Sequence, residues 1–171
     1  MKNTVLRYGM YSFLLASGLF LIVFYAGERF SFQTQSILGY VAMFLSLYYV
    51  YFGIKHYKNE ELNGEIDFKT AFIIGALISI FAAVGFGLTD AIYISEINPD
   101  YTAQYLTYEN KLLAARTNLT PGEMNYEKLS LLKRSEAFGN PFIVFFVMTM
   151  MVFVLGVIVS LLSAFMLHKK N

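Results

Sequence analysis

The chain has 171 residues and a formal net charge of +1; 57% of its residues are hydrophobic and only 15% are charged. Soluble domains carry about a quarter charged residues, so this composition disfavours a soluble globular protein. The near-zero net charge gives no electrostatic reason to expect a nucleic-acid partner. The absence of cysteine excludes disulfides and thiolate metal sites.

Four apolar blocks without Asp, Glu, Lys, Arg or His cover residues 8–27, 37–54, 71–89 and 142–167. Each block has about 18 residues or more, enough for a helix to cross a hydrocarbon core of roughly 30 Å. A backbone in lipid must satisfy its own hydrogen bonds, so each block predicts a spanning helix. The predicted fold is all-α: an integral membrane four-helix bundle in one domain, residues 1–171, with a helical extramembrane hairpin between spans three and four.

The positions of lysine and arginine predict the topology. With four spans, the two termini and the loop between spans two and three lie on one side. Positive charge near short loops marks the cytoplasmic side, so we expect both the N- and C-termini in the cytoplasm. The short loop on the opposite side holds only Arg29. The basic residues on the terminal side are Lys2, Arg7, Lys55, Lys58, Lys69, Lys169 and Lys170.

Small residues recur at every fourth position of two spans, a pattern that lets helix backbones approach closely in lipid. Such a repeat drifts around a helix of about 3.6 residues per turn, so the third span should face several neighbours. We expect this span at the centre of the bundle; self-association of the chain is the alternative use of the same residues. The expected packing positions are Ala71, Gly75, Ser79, Ala83 and Gly87 in the third span and Gly156, Ser160 and Ala164 in the fourth.

The outside segment, residues 93–140, contains the three prolines of the chain. Each follows a capping residue and suits the first position of a helix. We therefore expect helices over residues 99–117 and 121–138 and a start of the fourth span at Pro141. Thr120 and Glu123 have the spacing of a capping box, and Asp67 is a comparable cap for the third span. The three pairs are Asn98-Pro99, Thr120-Pro121 and Asn140-Pro141.

One face of the first outside helix carries Tyr101, Tyr105, Tyr108 and Leu112 at helical spacing. The favoured interpretation is packing against the second outside helix. The alternative is an interaction surface, either for a partner or for the headgroup layer, where tyrosine is favoured.

The spans offer little chemistry. An ionisable residue inside a membrane span would be a functional hypothesis, but the four blocks contain none. Asp90 comes closest, and we interpret it as a solvated or capped residue at the end of the third span. This pattern argues against an ion-coupled transporter. No nucleophile and base converge in the sequence, so we predict no catalytic, cofactor-binding or metal-binding residue.

Short motifs along the chain resemble a family of bacterial membrane proteins, mostly from the Bacteroidetes, known as domain of unknown function 4199. The resemblance covers nearly the whole chain and implies a four-span protein of the inner membrane. It implies no catalytic residue, because the family has none established. The motifs are Gly39-Tyr40-Val41-Ala42-Met43, Gly53-Ile54-Lys55-His56-Tyr57-Lys58, Gly64-Glu65-Ile66-Asp67-Phe68-Lys69-Thr70-Ala71-Phe72, Asn98-Pro99 with Tyr101, and Gly156 with Ser160-Leu161.

These observations favour a non-enzymatic integral membrane protein that acts as a scaffold, assembly factor or envelope accessory factor. The alternative is a small transporter or channel subunit that acts as an oligomer. A third and weaker hypothesis is a membrane enzyme acting on lipid through Asp90 or His56. The expected partners are the lipid bilayer and either a membrane protein or a second copy of the chain, and no nucleic acid.

Overall fold

The computed structural model describes residues 1–27 and 30–168, which form helices and turns and no strand. The predicted all-α class is confirmed. Arg29, Lys169 and Lys170, used above for the topology, lie outside the described residues. The helices are α1 (Lys2–Gly27), α2 (Phe32–Ser46), α3 (Tyr48–His56), α4 (Phe68–Ile92), α5 (Tyr101–Ala114), α6 (Pro121–Phe138) and α7 (Pro141–Leu167).

Four helical stretches are long and apolar enough to cross a membrane. All four extend beyond the apolar blocks at one end or both. Helix α2, for example, starts at Phe32, five residues before the predicted block, and the side chain of its N-cap residue Ser31 accepts a hydrogen bond from the Thr34 amide (3.3 Å). The four stretches are Lys2–Tyr25, Phe32–Glu61, Phe68–Ile97 and Pro141–Leu167.

The second stretch is interrupted at Leu47, which separates α2 from α3. Its backbone leaves the α-helical region (φ −86°, ψ 1°), and its amide donates to the Phe44 carbonyl (3.2 Å). The Leu47 side chain is buried. Within the described residues, α3 packs against α1, α4 and α7, whereas α2 packs mainly against α1. The interruption therefore separates two halves of this stretch that have different neighbours.

Helix α4 contacts α7, α1 and α3. Every one of its five ladder positions is buried. Where α4 meets α7, a Cβ added to Gly75 would lie 2.8 Å from the Ser160 Oγ, and one added to Gly156 would clash with Ser79. Ser79 and Ser160 approach each other through their hydroxyl oxygens (3.3 Å). We call these four residues the α4–α7 interface.

The remaining ladder residues follow the same pattern. Ala71 and Ala83 on α4 and Ala164 on α7 are fully buried. A Cβ added to Gly87 would lie 2.7 Å from the Phe145 carbonyl oxygen of α7. Small side chains at these positions thus coincide with close backbone approach, as expected for helix association in lipid.

The N-terminus and the end of α7 lie at the same end of the described structure. The Met1 ammonium forms an ion pair with Glu61 (2.6 Å), which also accepts a hydrogen bond from Thr4. Lys58 donates to the Leu167 carbonyl, the last residue of α7 (2.9 Å). Glu61 and Lys58 both belong to the π-helical turn Tyr57–Glu61, which follows α3. We call this the terminal end, and the opposite end, which carries α5 and α6, the hairpin end.

Three of the predicted caps are confirmed. The Asp67 carboxylate accepts from the Thr70 amide (3.0 Å), and hydrogen bonds from Thr70 hold the pKa of that carboxyl below its ordinary value. The Asn140 side chain accepts from the Phe142 amide (2.9 Å). Thr120 and Glu123 form the capping box at α6, whose bounds match the prediction.

The predicted cap at Asn98 is wrong. A π-helical turn, Tyr93–Ile97, continues α4, and the Asn98 amide closes it by donating to the Tyr93 carbonyl (2.7 Å). The Asn98 side chain turns back to the Tyr93 hydroxyl (3.3 Å). Helix α5 consequently begins at Tyr101, two residues later than predicted, and Asp100 precedes it without a side-chain cap.

Candidate functional site

The tyrosines of α5 pack onto the membrane helices. Their ring centroids surround Phe32, the first residue of α2, at 5.8 Å for Tyr101, 5.7 Å for Tyr105 and 5.2 Å for Tyr108. Tyr101 also contacts Phe24 of α1 (5.7 Å). This packing extends beyond the predicted contact with the second outside helix, although α5 and α6 do contact each other.

The fourth residue of that face, Leu112, remains exposed. Burial raises the pKa of the Tyr101 phenol well above its ordinary value, and the charge of the nearby Asp90 raises it further. Burial also raises the pKa of Tyr105, with Glu109 as the next cause. The ring contacts of Tyr101, Tyr105 and Tyr108 therefore attach the hairpin to the membrane helices.

A cavity of about 380 Å³ lies beneath the hairpin, between α2 and α7. We call it the cleft. It exists because α2 does not pack closely on α7 within the described residues. Tyr40 of α2 and Met151 of α7 line it while remaining partly exposed, so the cleft opens sideways between these helices. The wall residues are Gly39 and Met43 of α2, Val144 and Met148 of α7, and Phe20 and Phe86 behind them.

Asp90 is the buried carboxyl of this cleft. It lies on α4, within the apolar stretch Phe68–Ile97, and its side chain is only 5% exposed. No described residue donates a hydrogen bond to it or pairs with it. The interpretation of Asp90 as a solvated or capped end residue is wrong, because α4 and the following π-helical turn continue for seven residues beyond it.

Further polar groups lie toward the hairpin. Glu109 of α5 and Arg134 and Ser135 of α6 line the cleft. The Arg134 guanidinium donates to Ser130 (3.3 Å) and belongs to an exposed residue. The Gln35 amide, at the outer end of α2, donates to the Phe30 carbonyl (3.2 Å). The cleft is thus polar at the hairpin end and apolar toward the middle of the membrane helices.

This arrangement suits an amphipathic molecule. Pockets for small ligands measure about 300–1,000 Å³ and combine apolar walls with a few convergent polar groups. Sequence reasoning found Asp90 but missed the cleft, because its walls come from helices far apart in the chain. The structure shows the space at Gly39: a Cβ added there would meet no atom within 4 Å, so this glycine borders the cleft rather than a neighbouring helix.

Helix α6 presents a second surface that sequence reasoning missed. None of its residues is buried. Tyr126 is 72% exposed and Leu129 is 53% exposed, and Lys133 lies on the same side. The spacing of these three residues places them on one helical face.

Comparison with known proteins gives one match. The profile of a family described as "Protein of unknown function (DUF4199)" matches residues 7–169. No curated protein and no solved structure matches the chain.

Proposed function

The chain belongs to the DUF4199 family, whose function is unknown, and from its own geometry we propose an integral four-helix bundle of the bacterial inner membrane. The termini would lie in the cytoplasm and the α5–α6 hairpin outside. The terminal end carries Lys2, Arg7, Lys55, Lys58 and Lys69 close to the spans, which supports this orientation.

Within that membrane, the proposed role is that of a non-enzymatic envelope accessory protein that holds an acyl chain of a bilayer lipid in the cleft. The observation that carries the proposal is the sideways opening between α2 and α7, bordered by the partly exposed Tyr40 and Met151. A ligand that already resides in the bilayer can enter through such an opening without crossing water.

The lining and the opening of the cleft suit a lipid chain. Its inner walls are apolar, and it opens toward the bilayer between α2 and α7. An acyl chain is slender, and any part that exceeds the cleft can remain in the bilayer through the open side.

Filling the cleft tests this role. The variant Gly39→Phe places a ring in open space and should displace the lipid, whereas Gly18→Phe adds the same ring outside the cleft. An added Cβ meets no atom within 4 Å at either position. Native mass spectrometry from mild detergent should find a retained lipid with the wild-type chain and Gly18→Phe, and lose it with Gly39→Phe.

Equal lipid retention by the two phenylalanine variants would contradict the proposal. Unfolding is a separate outcome, so each variant is also scored by its elution profile and its thermal midpoint in detergent. If Gly39→Phe fails to fold, Gly39→Leu and Gly18→Leu repeat the comparison with a smaller side chain.

A second candidate function is assembly, with a membrane-protein partner or a second copy of the chain docking on α6. Its support is the exposed face of Tyr126 and Leu129. In this case the hairpin is the docking element, and α5 fixes its position through Phe32.

A further inference from the structure

We infer that the cleft selects a lipid whose headgroup joins a primary ammonium to a phosphate, the chemistry of phosphatidylethanolamine. The inference rests on the proposed function, because it names the headgroup of the lipid whose chain the cleft would hold. Asp90 would accept hydrogen bonds from the ammonium, and Arg134 would bind the phosphate.

Asp90 supplies the first half of the recognition. Its carboxyl is 5% exposed and lines the cleft with Phe86 and Ile94. A buried carboxyl is costly unless a hydrogen-bond donor or a cation accompanies it. No described side chain does so. A primary ammonium brings a positive charge and three N–H donors, whereas a quaternary choline brings no donor at all.

Arg134 supplies the second half. It is the basic residue lining the cleft, at the hairpin end and on the more exposed side. A guanidinium binds phosphate through two parallel hydrogen bonds, and the single bond to Ser130 leaves other N–H groups available. Asp90 lies near Tyr101 at the base of the hairpin, so the carboxylate and the guanidinium are both at the hairpin end of the cleft and match the two charges of a zwitterionic headgroup.

Glu109 also lines the cleft at the hairpin end. Together with Asp90 it gives the cleft two carboxyl groups against one guanidinium, a balance that disfavours a lipid with net negative charge.

The direction of the cleft agrees with this headgroup. Along α2 the lining residues run from Gln35 at the hairpin end to Gly39 and then Met43. Along α7 they run from Val144 inward to Met151. Polar groups therefore meet the headgroup at the membrane surface, and the apolar wall follows the chain toward the middle.

The chain contains no tryptophan, so a single introduced indole reports on one place. Met148 lines the cleft, whereas Met150 on the same helix lies outside it and is 62% exposed. Met148→Trp is the probe and Met150→Trp its matched control. Each is reconstituted in phosphatidylcholine vesicles that contain a minor fraction of lipid with brominated chains, and fluorescence quenching is measured.

Three brominated lipids are compared at equal mole fraction: phosphatidylethanolamine, phosphatidylcholine and phosphatidylglycerol. We expect phosphatidylethanolamine to quench the Met148→Trp variant most strongly, and all three to quench Met150→Trp alike. Adding Asp90→Asn to the probe should raise the half-quenching fraction of phosphatidylethanolamine about tenfold, the loss typical of one charge-assisted hydrogen bond. Arg134→Gln should weaken quenching by phosphatidylethanolamine in the same direction.

Equal quenching of the cleft probe by all three lipids would overturn the headgroup inference and leave the chain-binding role standing. A preference for phosphatidylglycerol would overturn it as well. If no brominated lipid quenches the cleft probe while Met150→Trp is quenched, both the inference and the proposed function fail. Unchanged quenching of Met150→Trp when Asp90→Asn is added shows that the fold is intact.

Discussion

At the scale of single residues, reciprocal glycine–serine contacts hold α4 against α7. Ser79 faces Gly156, and Ser160 faces Gly75. Each hydroxyl also donates to a carbonyl of its own helix, Ser79 to Gly75 (2.8 Å) and Ser160 to Gly156 (2.6 Å). The interface therefore combines close backbone approach with satisfied polar groups in an apolar setting.

Enlarging one of these glycines should destabilise the protein. Gly156→Leu forces a branched side chain against Ser79 and Leu47, so we expect overpacking to cost about 1–3 kcal/mol of the free energy of unfolding. The measurement is the thermal midpoint in detergent, with Gly18→Leu as the control. A Gly156→Leu midpoint equal to that of Gly18→Leu would show that the interface does not limit stability.

The burial of Asp90 could not be predicted from the sequence. An apolar run ends where the first charge appears, so the sequence places Asp90 at the edge of a span. The helix instead passes through Asp90 into the turn Tyr93–Ile97, and Asp90 is 5% exposed in a cleft whose lining includes Phe20 and Tyr101 of other helices. Burial by distant residues leaves no local signal.

At the scale of elements, helix starts were predicted where the determinant is local. A capping side chain and the amides it binds lie within three residues, so Asp67, Thr120 and Asn140 were found correctly. Asn98 failed because the preceding helix ends in a π-helical turn, which has no simple sequence pattern. The helical structure of each apolar block was predicted from its composition, because roughly 20 consecutive apolar residues are typical of a membrane-spanning helix.

The exposed face of α6 leads to a prediction about a protein partner. A photo-crosslinking residue at Leu129 should capture a defined membrane-protein partner or a second copy of the chain in cells, because this side chain is exposed on the free face. The matched control is Leu131, on the same helix but lining the cleft. Crosslinks confined to lipid at both positions would contradict the assembly role.

At the scale of the whole molecule, the all-α class and the shared end of the N-terminus and the last described residues follow from the number of apolar blocks. The contacts Met1–Glu61 and Lys58–Leu167 place the N-terminus and the end of α7 beside the turn Tyr57–Glu61. The cleft did not follow, because it depends on how far α2 separates from α7. The distance between two helices depends on how each packs against its other neighbours. The sequence pattern within either helix does not determine it.

The orientation in the membrane is a further prediction. A reporter fused after Lys170 should be active only as a cytoplasmic reporter, and one inserted near Asn118 only as an outside reporter, because the basic residues near short loops favour the cytoplasmic side. Paired alkaline phosphatase and fluorescent protein fusions provide the measurement. A C-terminal phosphatase fusion that is active, with an inactive one near Asn118, would invert the proposed topology.

The interruption at Leu47 has a consequence for how stability and ligand entry are related. The second stretch is long enough for a single crossing, yet its two halves pack differently: α3 contacts α1, α4 and α7, whereas α2 contacts mainly α1 and forms one side of the cleft. Gly39 lies on α2, and the glycine–serine contacts lie between α4 and α7. Under the proposed function, lipid binding and folding therefore draw on residues of different helices, which lets selection change one property while preserving the other.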